Sequence, residues 1–278
     1  MRNSEIPRPG QVKEVTSLAN PVVKDIKALA LKKRRDETNS FIAEGLKLVI
    51  DALDTGWKLS VLVIAKAATG GGQARQTMAR AVASGALVLE ASESVIASIT
   101  RRENPQGVIG VFGQRWEALG ALHPTKEDVY VALDRVRDPG NLGTIVRTAD
   151  AVGAKGVILI GETTDPFSME AVRASMGSIF NVPVFKTSEP DFLSFRTGFK
   201  GLLAGTHLKG SADYRSVDYR GSPVVLLMGN EQAGLPDSLA GACDRLIRIP
   251  QAGKADSLNL AVATGVALFE IRRHALKV

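Results

Sequence analysis

The feature that most limits the fold is an alternation: short runs of Val, Ile, Leu and Phe, three to six residues long, each followed by a turn cluster and often a helical pattern. In the second half the apolar runs fall at 129–134, 156–160, 182–185, 201–205, 223–228 and 246–249. Helices are predicted over 141–152 and 169–178, and a long one closes the chain at 258–274. In the first half, runs at 41–44, 59–64, 87–89 and 107–112 are interleaved with helices over 21–35, from 45 to 53, after Gly72 through Ala83, and from Ser92. Strands alternating with helices pair in parallel and are covered on both faces, so the predicted class is α/β with largely parallel sheets.

At 278 residues the chain has room for two modest domains. Residues 117–127, with Gly120 and Pro124, lack periodicity and read as a linker, giving an N-terminal unit over 1–120 and a C-terminal unit over 121–278. No repeat at a solenoid period is present. From Leu258 to Phe269 the closing helix has no charged residue, and apolar or small side chains occur all round it. It is either a core helix or one that packs on a second subunit.

Three turn clusters, each directly after an apolar run, carry the chemistry. The first is Asp138-Pro139-Gly140-Asn141-Leu142-Gly143 with Arg147 beyond it, the second Gly229-Asn230-Glu231 through Leu235, the third Ile249-Pro250-Gln251 with Ser257-Leu258-Asn259. Loops at the carboxyl ends of parallel strands are where α/β sheets bind ligands. Asn141 suits a helix N-cap. Gly143 and Gly229 remove side chains where a ligand can approach. Arg147 sits among Ile145, Val146 and Ala149, where a guanidinium calls for an anion: phosphate or carboxylate, or else Asp134 or Asp150. Glu231 can cap the next helix, orient Arg147 or bind a ligand hydroxyl. Asp256 or Ser257 is the expected cap of the last helix. The polar loop 249–256 offers backbone groups to a flat heterocycle such as adenine.

The charge balance points to a polyanionic partner. The net charge is +6, and residues 1–120 hold 17 Lys/Arg against 12 Asp/Glu. Lys24, Lys27, Lys32, Lys33, Arg34 and Arg35 lie on one predicted helix, which is either a solvated face or part of an RNA-binding surface. Aromatics make up only 5%, so such contacts would rest on charge more than base stacking. The single Cys243 leaves no internal disulfide, and His123, His207 and His274 are too scattered for a metal site. No run of about 18 apolar residues suggests a membrane span. Met1–Gly10, with Pro7 and Pro9, lacks the apolar core of a secretory signal and reads as a tail, so a cytoplasmic location is expected.

Together these residues resemble the SpoU/TrmH branch of the SPOUT RNA ribose methyltransferases. The first family motif is similar to Asp138-Pro139, Asn141, Gly143 and Arg147-Thr148-Ala149, the second to Gly229, Glu231 and Gly234-Leu235, the third to Ile249-Pro250 with Ser257-Leu258-Asn259. Upstream, Phe41-Ile42-Ala43-Glu44-Gly45 and Gln106-Gly107-Val108 resemble the small α/β RNA-binding domain that precedes the catalytic domain in members acting on ribosomal RNA. The likeness spans roughly residues 15–275.

The resemblance implies a parallel-sheet domain tied in a deep trefoil knot, a homodimer formed through it, and S-adenosylmethionine as cofactor. Gly205, Thr206, Gly229, Ile249, Gln251 and Leu258 match the cofactor-binding positions. The implied reaction moves the sulfonium methyl to a ribose 2′-hydroxyl. Arg147 is then the matched catalytic residue, gripping a phosphate and steadying the alkoxide, with Asn141, Glu231, Ser257 and Asn259 positioning it and the ribose. Lys32, Lys33, Arg34, Arg35 and Arg147 are the expected RNA contacts. Ribosomal RNA is the expected substrate; transfer RNA, or a catalytically silent RNA-binding relative, is the alternative. Gln251 stands where many members carry Met, and Leu260-Ala261 replace a more polar pair. Cys243 beside Asp244 lies in no turn motif, which disfavours base methylation through a cysteine adduct. No Gly-x-Gly-x-x-Gly follows the first strand, which disfavours a common dinucleotide fold.

Overall fold

A computed structural model describes residues 10–207, 210, 212–254 and 256–277. Apart from Gly10, the tail expected at the start lies outside them. The chain forms two compact units, one from the residues up to Gln114 with Phe167–Arg173, the other from Arg115–Pro166 with the chain from Ala174 onward.

The first unit begins with strand β1 (Val12–Val15), helices α1 (Pro21–Ala28) and α2 (Lys32–Thr38), strand β2 (Ser40–Glu44) and helix α3 (Leu46–Asp54). Strand β3 (Leu59–Ala65), helix α4 (Gly72–Ala83), strand β4 (Leu87–Ala91), helix α5 (Glu93–Thr100) and strand β5 (Val108–Gly113) complete it. The sheet order is β1-β4-β3-β5-β2. The expectation of parallel pairing fails on one side. β5 is antiparallel to β3 and to β2, with Val108 opposite Ile64 at the carboxyl end of β3. Arg101, left-handed at φ 56°, ends α5, and β5 begins after Gly107 beside the carboxyl end of β3.

The basic segment is two helices, not one. Leu31 is extended, and α1 ends with carbonyls that no further helical turn can satisfy. Arg35 turns inward to meet them: its Nη1 donates to Leu29 O at 2.8 Å and Ala30 O at 3.0 Å, and the residue is 4% exposed. The expected RNA contact at Arg35 is therefore corrected; its guanidinium caps α1. Lys32 and Lys33 are exposed, and Arg34 pairs with Glu37 at 2.7 Å.

Glu44 closes β2 as a buried carboxylate. It accepts from Arg173 Nε at 2.9 Å and from Gln106 N at 3.0 Å, with Arg102 at 3.8 Å. Phe167 brings its ring to 4.8 Å from Phe41, in an aromatic cluster with Trp57 and Phe112.

The second unit follows the predicted alternation. Strand β6 (Val129–Asp134), helix α6 (Pro139–Ala151) and strand β7 (Gly156–Ile160) lead to helix α7 (Met169–Ala174), most of which belongs to the first unit. Then come strand β8 (Val184–Thr187), helix α8 (Glu189–Gly198), strands β9 (Leu202–Thr206), β10 (Ala212–Asp213) and β11 (Val224–Met228), helix α9 (Asp237–Gly241), strand β12 (Arg245–Arg248) and helix α10 (Leu260–Arg272). Every pairing in the order β10-β12-β9-β11-β6-β7-β8 is parallel. The four strands β11, β6, β7 and β8 are apolar except at Asp134, Lys186 and Thr187, as strands covered on both faces must be.

Helix α8 fills a stretch where no helix was expected, because Pro190 and Gly198 blur its pattern; Ser188 caps it, accepting from Asp191 N at 3.2 Å. The predicted helix over 169–178 stops at Ala174, where Met176 and Gly177 adopt left-handed conformations. The stretch read as a linker packs into this unit: Glu117 N donates to Val184 O at 2.9 Å, and Leu122 is buried.

Candidate active site

Parallel pairing puts the carboxyl ends of β12, β9, β11 and β6 along one edge of the sheet, with Met228 opposite Leu133 and Thr206 opposite Ile247. The turn clusters leave from that edge, so the sheet itself brings Gly205-Thr206 and the three loops together. The edge lies wholly within the second unit.

The first loop is set by two residues. Asp138, not Asn141, is the N-cap of α6, its carboxylate accepting from Asn141 N at 2.5 Å, with Pro139 next in the first turn. Asn141 is therefore inside the helix with its carboxamide free for other work. Arg135 takes a left-handed φ of 45° and folds its guanidinium back on buried Asp134, with contacts of 2.8–3.1 Å. A side chain in that region of backbone space is strained, and here an ion pair holds it.

Asn259, rather than Asp256 or Ser257, caps α10. Its Oδ1 accepts from Ala261 N at 2.9 Å and Val262 N at 3.2 Å. With the oxygen thus committed, its Nδ2 must donate elsewhere, and it reaches Asn141 Oδ1 at 2.9 Å. That in turn leaves Asn141 Nδ2 to point at Glu231 Oε1, at 3.4 Å. The Glu231 carboxylate also lies 3.4 Å from the N–H groups of Arg137 and Asp138. One chain of polar contacts thus links the second loop, the first loop and the cap of the last helix. Glu231 is exposed and its contacts are long, so it keeps acceptor capacity to spare.

Other expected residues stand apart from that chain. Ser257 is exposed and has no hydrogen bond to any described residue. Arg147 is six residues beyond Asn141, about 9 Å along the helix axis. The apolar neighbours that made it look buried face inward: α6 buries Leu142, Ile145, Val146 and Ala149, while Arg147 faces solvent. It forms no ion pair with a described residue; Asp134 is held by Arg135, and Asp150 accepts from Asn181 Nδ2 at 3.1 Å. Its guanidinium is uncommitted among the described residues.

Among the expected cofactor positions, two glycines are packed closely by the protein itself. A Cβ on Gly229 would lie 2.4 Å from the Gly234 carbonyl carbon, and one on Gly205 would lie 2.6 Å from Cys243 Sγ. The missing side chains let neighbouring protein close in, shaping the strand ends. Thr206 Oγ1 is 3.5 Å from Met228 Sδ. Ile249, Gln251 and Leu258 lie in or at the end of the exposed loop 249–258, whose described backbone N–H and C=O groups have no partner among the described residues. Such unspent groups are what recognition of a heterocycle by backbone requires. Cys243 is a free, half-buried thiol. Burial, reinforced by Asp244, pushes its thiol up to about 12.

Two residues were given no role from sequence: Arg135, whose positive φ has no signature in a single sequence, and Asn230, between Gly229 and Glu231 in the second cluster. Among the described residues no group of His, Cys, Asp or Glu is placed to hold a metal ion, and no helix is long and apolar enough to cross a membrane.

A parallel α/β sheet with polar loops gathered at one edge defines a ligand-binding α/β domain of the nucleotide-cofactor kind. Residues 128–269 match the SpoU rRNA Methylase family, and residues 20–110 match the MRM3-like substrate binding domain. The chain belongs to the SpoU rRNA methylase family. It is 31% identical over 261 residues to the Bacillus subtilis 23S rRNA (guanosine(2553)-2'-O)-methyltransferase RlmP, covering 94% of this chain and 100% of that protein. The structure of an AdoMet-bound rRNA methyltransferase from Sinorhizobium meliloti superposes with a TM-score of 0.92 at 62% identity, covering 96% of this chain and 100% of that one. The SpoU methyltransferase AviRb from Streptomyces viridochromogenes, solved with AdoMet, superposes at 0.82 with 29% identity, covering 92% of this chain and 98% of that one.

Proposed function

We propose that the protein transfers a methyl group from S-adenosylmethionine to a ribose 2′-hydroxyl of ribosomal RNA, as a cytoplasmic homodimer. The observation that carries this reading is the polar chain Glu231–Asn141–Asn259, which joins three loops at one sheet edge in a chain that belongs to this family. The named activities of the relatives support it, and so does the match of residues 20–110 to a substrate-binding domain.

S-adenosylmethionine, when bound, supplies an electrophilic methyl on a sulfonium. Gly205, Thr206, Gly229, Ile249, Gln251 and Leu258 would hold it, and the unspent backbone of the third loop suits that work. A 2′-hydroxyl is a weak nucleophile until its proton is loosened and its oxygen is held in line. Glu231, with Asn141 and Asn259 behind it, fixes the ribose. Ser257 supplies one more hydroxyl. Arg147 carries a permanent charge that no group among the described residues consumes. It grips the neighbouring phosphate and stabilises the alkoxide, for which a guanidinium is better suited than for taking a proton.

Lys32, Lys33 and Arg34 contribute RNA contacts from the first unit. The dimer forms on α10 and the residue before its cap, where Val262 and Phe269 of the helix are 54% and 51% exposed and Leu258 of the preceding loop is 37% exposed, apolar surface that favours a partner. A trefoil knot belongs to the same proposal. The chain runs out from β11 to β12 beyond β9, then returns to pack α10 on α6, the course a threaded carboxyl-terminal segment would take.

The test is incubation of the purified protein with radiolabelled S-adenosylmethionine and separated ribosomal and transfer RNA. Label in ribosomal RNA, recovered as an alkali-resistant dinucleotide, is the expected result. Label in transfer RNA alone would move the substrate class, and binding of RNA without transfer would identify a silent relative.

A further inference from the structure

We propose that Asn230 is a positioning residue that clasps the second loop to the first and so sets Glu231 for methyl transfer; this rests on the methyl-transfer reading above. Asn230 is 8% exposed and spends every polar group it has. Its Oδ1 accepts from Gln232 N at 3.0 Å and Ala233 N at 3.1 Å, closing the second loop on itself. Its backbone exchanges both hydrogen bonds with Gly234, at 3.1 and 2.9 Å. Its Nδ2 reaches across 95 positions of sequence to donate to Arg135 O at 2.8 Å.

The carbonyl it grips is the one that the strained Arg135 turns out. Arg135 is pinned independently, by its N–H on Ile160 O at 3.0 Å and by its guanidinium on Asp134. The clasp therefore joins a rigid point of the first loop to the residue directly before Glu231. Glu231 itself meets Arg137, Asp138 and Asn141 only at 3.4 Å, too long to fix its own place. The short bond that sets the register between the two loops is the one from Asn230.

The test compares Asn230→Asp and Asn230→Ala in the full chain. Aspartate keeps the oxygen for Gln232 and Ala233 but, when ionised, sets a carboxylate against the Arg135 carbonyl. A protonated aspartate restores a donor. At pH 8, kcat on ribosomal RNA should fall by about 100-fold in both variants, the loss that a misplacement of about 1 Å brings. The KM for RNA should change little. As pH falls, the ratio of Asn230→Asp to wild type should climb while that of Asn230→Ala stays flat. A loss below about twofold, or the same pH profile in both variants, would overturn the clasp. Hydrogen exchange of residues 135–138, measured on the same proteins without RNA or cofactor, should quicken in Asn230→Asp at high pH only. Unchanged exchange there also overturns it. If wild type transfers no methyl, the methyl-transfer reading falls and exchange alone decides the clasp.

Discussion

Two glutamates, each at or just beyond the carboxyl end of a strand, have opposite fates. Glu44, at the end of β2, is buried with its carboxylate divided among Arg173, Gln106 N and Arg102. Glu231, just beyond β11, is exposed, and its neighbours stand at 3.4 Å. The first is consumed by the fold; the second is held in place and left with capacity to bind. Arginines divide the same way. Arg35, Arg135 and Arg173 are committed to carbonyls or carboxylates inside the chain, and Arg147 is committed to nothing among the described residues. Residue type therefore says little about role here. Whether the polar groups are spent says much more.

Removing a spent group should show first as lost stability. Glu44→Ala leaves the Arg173 guanidinium without its partner in a half-buried setting. A loss of about 3–5 kcal/mol is expected, the cost of breaking a buried pair from one side. It should appear as a lower urea midpoint of the first unit, followed by the fluorescence of Trp57. A midpoint equal to wild type would erase the distinction between the two glutamates.

Removing an unspent group should leave the fold and take the reaction. Arg147→Ala is expected to lower turnover by about 100- to 1000-fold, the usual cost of one donor aimed at developing charge. Its thermal midpoint should stay within about 1 °C of wild type, since a surface substitution away from packing costs little. Glu231→Gln should fall between: about tenfold in turnover, or roughly 1.4 kcal/mol in barrier, with unchanged stability. Equal losses of stability from Glu231→Gln and Glu44→Ala would show that the site glutamate is structural.

The parts legible in the sequence were those fixed by local pattern. The apolar runs at 129–134, 156–160 and 223–228 are strands because unbroken β-branched and leucine-rich stretches have no other stable burial. The three loops were visible because turn residues follow strands directly. What stayed hidden depends on groups distant in sequence. The inward turn of Arg35 requires knowing that α1 ends at Ala28, and the antiparallel entry of β5 requires the course of a loop. Arg147 looked buried because Ile145, Val146 and Ala149 surround it in sequence, yet helical rotation sends those residues inward and the guanidinium out. The partition of caps among Asp138, Asn141 and Asn259 was likewise undecidable, because all three are good cap residues and only the contacts across 118 positions between Asn141 and Asn259 assign them.

The smallest effect expected tests the same division within one helix. Lys32, Lys33, Arg34 and Arg35 are consecutive, and from sequence they carry equal claims on RNA. In α2 they do not. Lys32 forms no ion pair with a described residue, Lys33 only approaches Glu37 at 4.0 Å, Arg34 is shared between Glu37 and Asp25, and Arg35 is buried. A lysine that neutralises a phosphate releases a counterion, so it steepens the dependence of affinity on salt by about 0.7–0.9 in slope. Lys32→Ala with Lys33→Ala should therefore flatten the plot of log affinity against log salt by roughly 1.5. Arg34→Ala should flatten it less, because freeing Glu37 and Asp25 returns negative charge to the surface. Arg35→Ala should leave the slope alone and lower stability instead, by stripping the carbonyls of Leu29 and Ala30 of their donor. A common slope change for all four would mean that the helix rearranges on RNA and exposes Arg35. The rule that spent groups do not bind would then fail in the first unit while still standing in the second.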